Sequence, residues 1–151
     1  LNMRHCKRHL KDHSISVLSK KYRENDMSSE VINRIELQLQ KYFDGLYFSD
    51  VVRLKTVFHE DAVYICATER PMLKLTMAEY FPIVENRISP ASKQQLRHDK
   101  ITSIHLLNEM MAMVHVECAI EPKYFYDALT FVLVENEWKI LSKVFHYEIM
   151  A

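Results

Sequence analysis

The 151-residue chain is long enough for one domain with its own hydrophobic core. Its formal net charge is zero, but residues 1–27 hold seven of the 20 Lys and Arg and only three of the 20 Asp and Glu, so residues 28–151 are acidic. An acidic main part argues against a nucleic-acid-binding surface, and the absence of any run of about 18 apolar residues argues against a membrane-spanning helix.

Cysteine and glycine usage narrows the class of protein further. Cys6, Cys66 and Cys118 are far apart and odd in number, which does not fit a disulfide framework, so we expect a reducing, cytoplasmic location. Gly45 is the only glycine in the sequence. Loops that cradle phosphates need several glycines for close backbone approach, which excludes P-loop and dinucleotide-binding sites.

Residues 1–27 are expected to be a basic leader, poorly ordered or helical, ahead of a domain over residues 28–151. The leader lacks the apolar central segment of a secretory signal peptide. His5, His9 and His13 are spaced four apart and share one face if the segment is helical. Two of them could share a metal ion, but the third would lie about 12 Å from the first. We therefore expect a solvated leader and no metal site.

The first helix of the domain is predicted from apolar residues that recur at three- and four-residue steps. Ser28 or Ser29 is expected to cap it, and it is expected to end near Tyr47. Its predicted buried stripe consists of Ile32, Ile35, Leu39, Tyr42, Phe43 and Leu46.

Two further helices are predicted from capping residues. Asp50 is expected to cap a short second helix that turns Leu54, Val57 and Phe58 inward. Residues 76–79, Thr-Met-Ala-Glu, form a capping box that begins a third helix. Pro82 falls inside this helix and is expected to kink it or to end it early.

The rest of the chain is predicted to be mainly strand. Residues 62–67 and the short stretch 72–75 come first, and a meander of four long strands follows over residues 100–107, 110–121, 124–135 and 137–147. These runs are rich in β-branched and aromatic residues, and a tight turn at Asn136-Glu137 joins the last two. Because both faces of these strands are apolar, the sheet must be covered twice, by helices and by a second copy of the chain.

Several segments resemble one known fold family. Residues 42–47 (YFDGLY), Asp50 and residues 58–62 (FHEDA) are similar to the helix-one and strand-one signature of the nuclear transport factor 2-like superfamily. Residues 97–104 (RHDKITSI) and 138–146 (WKILSKVFH) resemble its SnoaL-like branch, described as "putative lumazine-binding". The resemblance covers about residues 29–148. It implies an α+β fold in which three N-terminal helices pack on a curved antiparallel sheet around a conical pocket.

The resemblance also implies an assembly and a kind of chemistry. Family members usually pair through the open face of the sheet, so a homodimer is expected. Ketosteroid isomerase, scytalone dehydratase and the polyketide cyclases work without cofactors, and none is expected here. They use a carboxylate or histidine base and tyrosine hydroxyls. Tyr42 matches the oxyanion tyrosine of the isomerase, but Cys66 stands where its catalytic aspartate falls, so steroid isomerisation is not expected.

Three residues are candidates for catalysis, and a fourth is an alternative to one of them. His59 or His98 could serve as a general base, with Tyr42 (or Tyr64) as the acid. Two of them also have a structural interpretation: Tyr42 as a packing residue of the first helix, and His59 as a partner of the carbonyl groups that end a helix.

The candidate ligand-binding residues are Tyr42, Phe58, Tyr64, Asp127, Lys143 and His146. His146 could line the mouth of the pocket, and a surface position fits it equally well. Asp127 shares its predicted strand face with Leu129 and Phe131, an unfavourable place for an unpaired carboxylate. Lys143 shares its face with Leu141 and Phe145. An Asp127–Lys143 or an Asp127–Arg97 ion pair is therefore predicted, either as a structural pair at the dimer seam or as a pair in the pocket.

These features leave three functions open. The first is a homodimeric pocket protein that binds a small, largely apolar molecule and neither nucleic acid nor membrane. The second is a cofactor-independent lyase, isomerase or cyclase with a histidine base and a tyrosine acid. The third is a dimerisation module whose basic leader serves as a docking tail.

Overall fold

The computed structural model describes residues 4–151, with side chains described for Lys20 and for residues 23–151. Its elements are α1 (Arg4–Phe48), α2 (Val51–Lys55), β1 (Phe58–Cys66), β2 (Leu73–Thr76), α3 (Met77–Asn86), β3 (Lys100–Leu106), β4 (Met111–Ile120), β5 (Lys123–Val134) and β6 (Glu137–Ile149). None of these helices, within the residues described, is long and apolar enough to span a membrane. Residues 1–34 and residues 35–151 form two compact units.

The first unit contains the N-terminal part of α1. The prediction that a helix begins at Ser28 or Ser29 is wrong, because α1 already begins at Arg4. No proline or glycine lies between residues 4 and 44, so nothing in the sequence breaks the helix before the serines. The side chains of His5, His9 and His13 lie outside the described part of the chain, as do residues 1–3.

The second unit is built on a curved, unclosed sheet of six strands in the order β2-β1-β6-β5-β4-β3. Neighbouring strands are antiparallel except β1 and β6, which are parallel. This corrects the expectation of an antiparallel sheet. A tight hairpin forces antiparallel pairing, whereas the long connection from β1 to β6 does not. The fold is α+β as predicted, but only α1 and α2 precede the first strand, and α3 lies between β2 and β3.

The hairpin between β5 and β6 turns at Glu135-Asn136, one residue earlier than predicted. Val134 pairs with Glu137, which leaves a two-residue turn. Both turn residues have positive φ, 49° and 63°, as the type I′ turns that match the twist of a hairpin require. Asparagine, after glycine, is one of the residues that adopt this left-handed region most readily.

A bulge in β6 decides which residues of the hairpin face inward. Thr130 pairs with Ser142 and Phe131 with Ile140, so Leu141 has no partner on β5. This extra residue shifts the alternation of β6. As a result Ile140 and Lys143, which lie on either side of the bulge and three residues apart, are both buried on the inner face.

The core of the second unit lies between the inner face of the sheet and the helices. The predicted stripe of α1 is confirmed from Ile35 onward. Thr76 caps α3 as predicted, with its hydroxyl oxygen accepting from the Glu79 amide at 3.3 Å. Pro82 does not end α3, which continues to Asn86. The largest fully buried side chains include Tyr42, Leu54, Leu129, Phe131, Trp138 and Ile140.

Candidate functional site

Three polar side chains meet in the interior of the sheet. Asp127 on β5 and Lys143 on β6 are diagonal neighbours, because Leu129 pairs with Lys143 and Asp127 pairs with Phe145. The Lys143 Nζ lies 3.4 Å from Asp127 Oδ2, and the two side chains are 4% and 0% exposed. The Tyr42 hydroxyl of α1 donates to the same carboxylate oxygen at 2.5 Å. We call Tyr42, Asp127 and Lys143 the interior triad.

Aromatic rings surround the ammonium group of Lys143. Its Nζ lies 5.3 Å from the ring centre of Tyr42, 5.5 Å from that of Tyr64, 5.6 Å from that of Phe125 and 4.8 Å from that of Phe145. A cation within about 6 Å of an aromatic face is attracted by the ring's electrons. The rings and Asp127 together replace the water that Lys143 loses on burial.

The environment keeps Lys143 and Tyr42 in defined protonation states. Burial by itself lowers the pKa of Lys143, but attraction from the Asp127 carboxylate raises that pKa, which lies above its ordinary value overall. Burial and the Asp127 charge raise the pKa of Tyr42 well above its ordinary value. Lys143 therefore stays charged and Tyr42 stays a hydrogen-bond donor. Burial also raises the pKa of the nearby Cys118, so this cysteine stays a thiol rather than a nucleophilic thiolate.

A cavity of about 310 Å³ opens beside the interior triad. Its wall includes three rings that also surround Lys143, those of Tyr64, Phe125 and Phe145. The remaining wall and rim consist of Cys66, Glu69, Leu73, Ile83, Arg87, Ile120, Glu121, Pro122, Lys123 and Tyr147. The cavity is therefore aromatic at its inner end and charged at its rim.

Several charged groups of the rim already have partners. The Arg87 guanidinium donates to the Leu46 carbonyl at 2.9 Å and to the Ser49 hydroxyl at 3.0 Å. Glu69 accepts from the Tyr147 hydroxyl at 2.7 Å. The triad, in contrast, contains a buried polar atom without a hydrogen-bond partner. Among the residues that the structure describes, no group donates to Asp127 Oδ1. A buried carboxylate, a charged amine and a phenol next to aromatic walls can recognise a polar group on an otherwise apolar molecule.

Most of the candidate ligand-binding residues come together here. Tyr42, Asp127 and Lys143 form the triad, and Tyr64 lines the cavity. Phe58 contacts Tyr42 with 6.0 Å between ring centres but does not line the cavity. Of the two predicted ion pairs, the structure contains Asp127–Lys143, on the inner face rather than the outer one.

Arg97, the alternative partner considered for Asp127, pairs elsewhere. Its guanidinium lies 2.7 Å from carboxylate oxygens of both Asp44 and Asp99. It also lies 4.7 Å from the ring centre of Tyr47. Arg97 therefore links α1 to the segment before β3 and takes no part in the triad.

The three candidate histidines lie away from the cavity. His59 does not end a helix; it lies on β1 where that strand departs from its ladder with β6, and its Nδ1 accepts from the Asp61 amide. The His98 ring lies 6.2 Å from that of Tyr124. His146, expected at the pocket, stacks on Tyr126 with 4.7 Å between ring centres.

Strand alternation explains the position of His146. Successive side chains point to opposite faces, and its neighbour Phe145 faces the interior, so His146 faces outward. The structure thus does not bring His59, His98 or His146 to the triad. The described residues contain no group of three or more His, Cys, Asp or Glu side chains arranged to hold a metal ion.

Phe125 and Phe145 belong to the site but were not predicted. The signal was present in the sequence, because Phe125 lies two residues from Asp127 and Phe145 two residues from Lys143. Residues two apart on a strand share a face, so both rings had to lie beside the predicted ion pair.

Comparison with known proteins identifies a family for this chain and similar solved structures. The model of a family described as "Putative lumazine-binding" matches residues 30–146. A nuclear transport factor 2-like protein of unknown function from Silicibacter pomeroyi is 24% identical, with a TM-score of 0.72 over 80% of this chain and 98% of that chain. A comparison with curated proteins found no match.

Two other solved structures share the fold at lower identity. A nuclear transport factor 2-like protein of unknown function from Shewanella baltica is 19% identical, with a TM-score of 0.70 over 80% of this chain and 95% of that chain. A "Putative Scytalone Dehydratase" from Novosphingobium aromaticivorans is 19% identical, with a TM-score of 0.61 over 83% of this chain and 89% of that chain. The match of the family model leads to one conclusion: the chain belongs to the family described as "Putative lumazine-binding", and it shares the fold of the nuclear transport factor 2-like proteins.

Proposed function

We propose that this protein binds a small, largely apolar molecule in the cavity beside the interior triad, and that it acts as a homodimer. The observation that carries the proposal is the cavity itself. At about 310 Å³ it lies at the lower end of the range typical of ligand pockets, about 300–1,000 Å³, which suits a compact ligand. The rings of Tyr64, Phe125 and Phe145 supply apolar contact area.

The family description supports a flat, ring-containing ligand. Lumazine, the compound in that description, is a planar bicyclic molecule. Planar rings pack well against aromatic side chains in offset or edge-to-face arrangements. We extend to this chain only the shape of that compound, as a starting point for a ligand screen.

Thermal-shift screening of planar heteroaromatic compounds, lumazine included, tests the proposal. Binding to the folded state alone raises the melting temperature, by an amount that grows with the logarithm of one plus the ratio of ligand concentration to Kd. The matched variants are Leu73→Trp, which adds bulk at the cavity wall, and Leu96→Trp, which adds the same bulk at an exposed site away from it. We expect the shift to disappear in Leu73→Trp and to persist in Leu96→Trp. A shift that persists in both variants, or no shift with any compound, contradicts the proposal.

The outer face of the sheet supports the homodimer. Val144 pairs with Ala128 on one side and Ile65 on the other, so these three side chains form an apolar row across β5, β6 and β1. Val144 is 39% exposed within the described chain. An apolar sheet face of this kind is typical of surfaces that pair with another subunit.

For the alternative function, a cofactor-independent lyase, isomerase or cyclase, the residue proposed as the general base changes. Neither His59 nor His98 reaches the cavity, which removes the support for a histidine base. Asp127 is the carboxylate in position, with Tyr42 as the neighbouring hydroxyl. In the enzymatic alternative, Asp127 rather than a histidine would accept the proton.

A further inference from the structure

We propose that the ligand's polar end is a neutral edge with an N–H or O–H donor beside a C=O acceptor, as in a lactam or another cyclic amide. Asp127 Oδ1 accepts from the donor, and Lys143 donates to the carbonyl oxygen. This inference rests on the proposed function and specifies the chemical class that the cavity selects.

The donor half of the edge follows from the state of Asp127. Its Oδ2 already receives the Tyr42 hydroxyl and lies beside the Lys143 ammonium. Its Oδ1 is equally buried and receives no hydrogen bond from any described residue. A buried polar atom without a partner is costly, so a ligand that donates to Oδ1 gains more than it would from an exposed carboxylate.

The acceptor half follows from the surroundings of Lys143. An ammonium group carries three N–H donors. The described polar partner of Lys143 is Asp127 Oδ2, and its other close neighbours are the rings of Tyr42, Tyr64, Phe125 and Phe145. A carbonyl oxygen is a stronger hydrogen-bond acceptor than an aromatic face. A ligand carbonyl therefore improves the environment of Lys143.

Charge balance makes the edge neutral. Asp127 and Lys143 compensate each other within an interior that is almost closed to water. A ligand with a net charge would leave one charge unbalanced in this interior, which carries a large desolvation cost. A donor and an acceptor side by side match the pair without changing its charge.

The same rings connect the cavity to the triad. Tyr64, Phe125 and Phe145 line the cavity and also face the Lys143 ammonium. One layer of rings therefore separates a molecule in the cavity from Lys143. Tyr64 and Phe125 are only half-buried. The proposal requires one of these two side chains to turn, so that the ligand's polar edge meets the triad.

The test compares 2-pyridone with N-methyl-2-pyridone, which keeps the ring and the carbonyl but has lost the N–H. Both are titrated into the full chain and followed by protein-observed NMR. We expect 2-pyridone to bind about tenfold more tightly or better, as one lost hydrogen bond to a buried charged group implies. The double variant Asp127→Leu/Lys143→Met should lose this preference, whereas Lys100→Met, a change at the exposed start of β3 and away from the cavity, should keep it.

The other outcomes overturn either the donor–acceptor edge alone or the pocket function together with it. Equal binding of the two probes, or a preference that survives in the double variant, overturns the donor–acceptor edge and leaves the pocket function standing. No binding of either probe, together with no hit in the thermal-shift screen, overturns both. If the double variant does not fold, the variant Asp127→Asn is tested in its place. Its amide group presents a donor where Oδ1 stood, so the preference for 2-pyridone should again disappear.

Discussion

At the scale of the residue, Lys143 is the side chain whose position demands most from its neighbours. Its ammonium is almost completely buried and is held by one carboxylate and four rings. Attraction between buried opposite charges repays their desolvation only when the partners are well placed. The pair therefore acts as a unit: the protein tolerates both charges or neither much better than it tolerates one.

The first prediction concerns this unit. Lys143→Met leaves Asp127 charged and unpaired, and we expect it to lower the free energy of unfolding by about 3–5 kcal/mol. Asp127→Leu/Lys143→Met removes both charges and should recover most of that loss. Urea unfolding of the wild type and of both variants measures the difference. A double variant that is no more stable than Lys143→Met would show that the two charges do not act as a pair.

At the scale of the element, the close approach of α1 and α2 depends on one residue. A Cβ atom added to Gly45 would lie 2.5 Å from Leu54 Cδ2, well inside van der Waals contact. Leu54 is fully buried, in an interior of the kind that is closely packed. The single glycine of the chain thus serves helix packing.

The second prediction follows from this contact. We expect Gly45→Ala to destabilise the protein by about 1–3 kcal/mol through overpacking, although alanine is the better helix former. Gly45→Ala/Leu54→Ala makes room for the new methyl group, so the cost of Gly45→Ala should shrink in the Leu54→Ala background. Thermal unfolding of the four proteins in this cycle gives the coupling between the two sites. Additive effects would contradict the contact.

Much of this element structure could be predicted because its signals are local. The strand runs, the Thr76 cap and the buried stripe of α1 are read from propensity and periodicity alone. Asp127 and Lys143 stood out because a charge within an apolar strand face needs a partner. The Leu141 bulge and the parallel pairing of β1 with β6 depend on residues far apart in the chain. No local pattern encodes them.

The site was harder to predict than the fold for the same reason. Tyr42 reaches Asp127 only because α1 packs across the inner face of β5, 85 residues later in the sequence. The histidines were chosen for their chemistry, but strand alternation and the irregular course of β1 place them elsewhere. Residue type indicated which groups could act, and tertiary packing decided which of them meet.

At the scale of the whole molecule, the two faces of the sheet have different tasks. The inner face holds the core, the triad and the cavity wall. The outer face carries the apolar row of Ile65, Ala128 and Val144. Because strands alternate, one sequence stretch supplies both faces, which explains why these strands lack a clean apolar–polar pattern.

The third prediction tests the proposed pairing of two copies. Val144→Lys places a charge in the apolar row, and at a symmetric interface it does so in both copies. We expect sedimentation to report a dimer for the wild type and a monomer for Val144→Lys, with unchanged circular dichroism. Val52→Lys, an exposed valine on α2, is the matched control and should remain dimeric. A monomeric wild type would contradict the homodimer.

The position of β6 in the sheet also determines when the sheet can form during synthesis. The sheet order puts this final strand between β1 and β5, so it joins two groups of strands that otherwise share no ladder. During synthesis, the inner neighbour of β1 does not exist until β6, which follows all the other strands in the chain, has left the ribosome. Until then two unsatisfied edges are open to nonnative association. Completion of the sheet is therefore a late, nonlocal event, and translation that stops before Glu137 yields two incomplete fragments of sheet instead of a smaller domain.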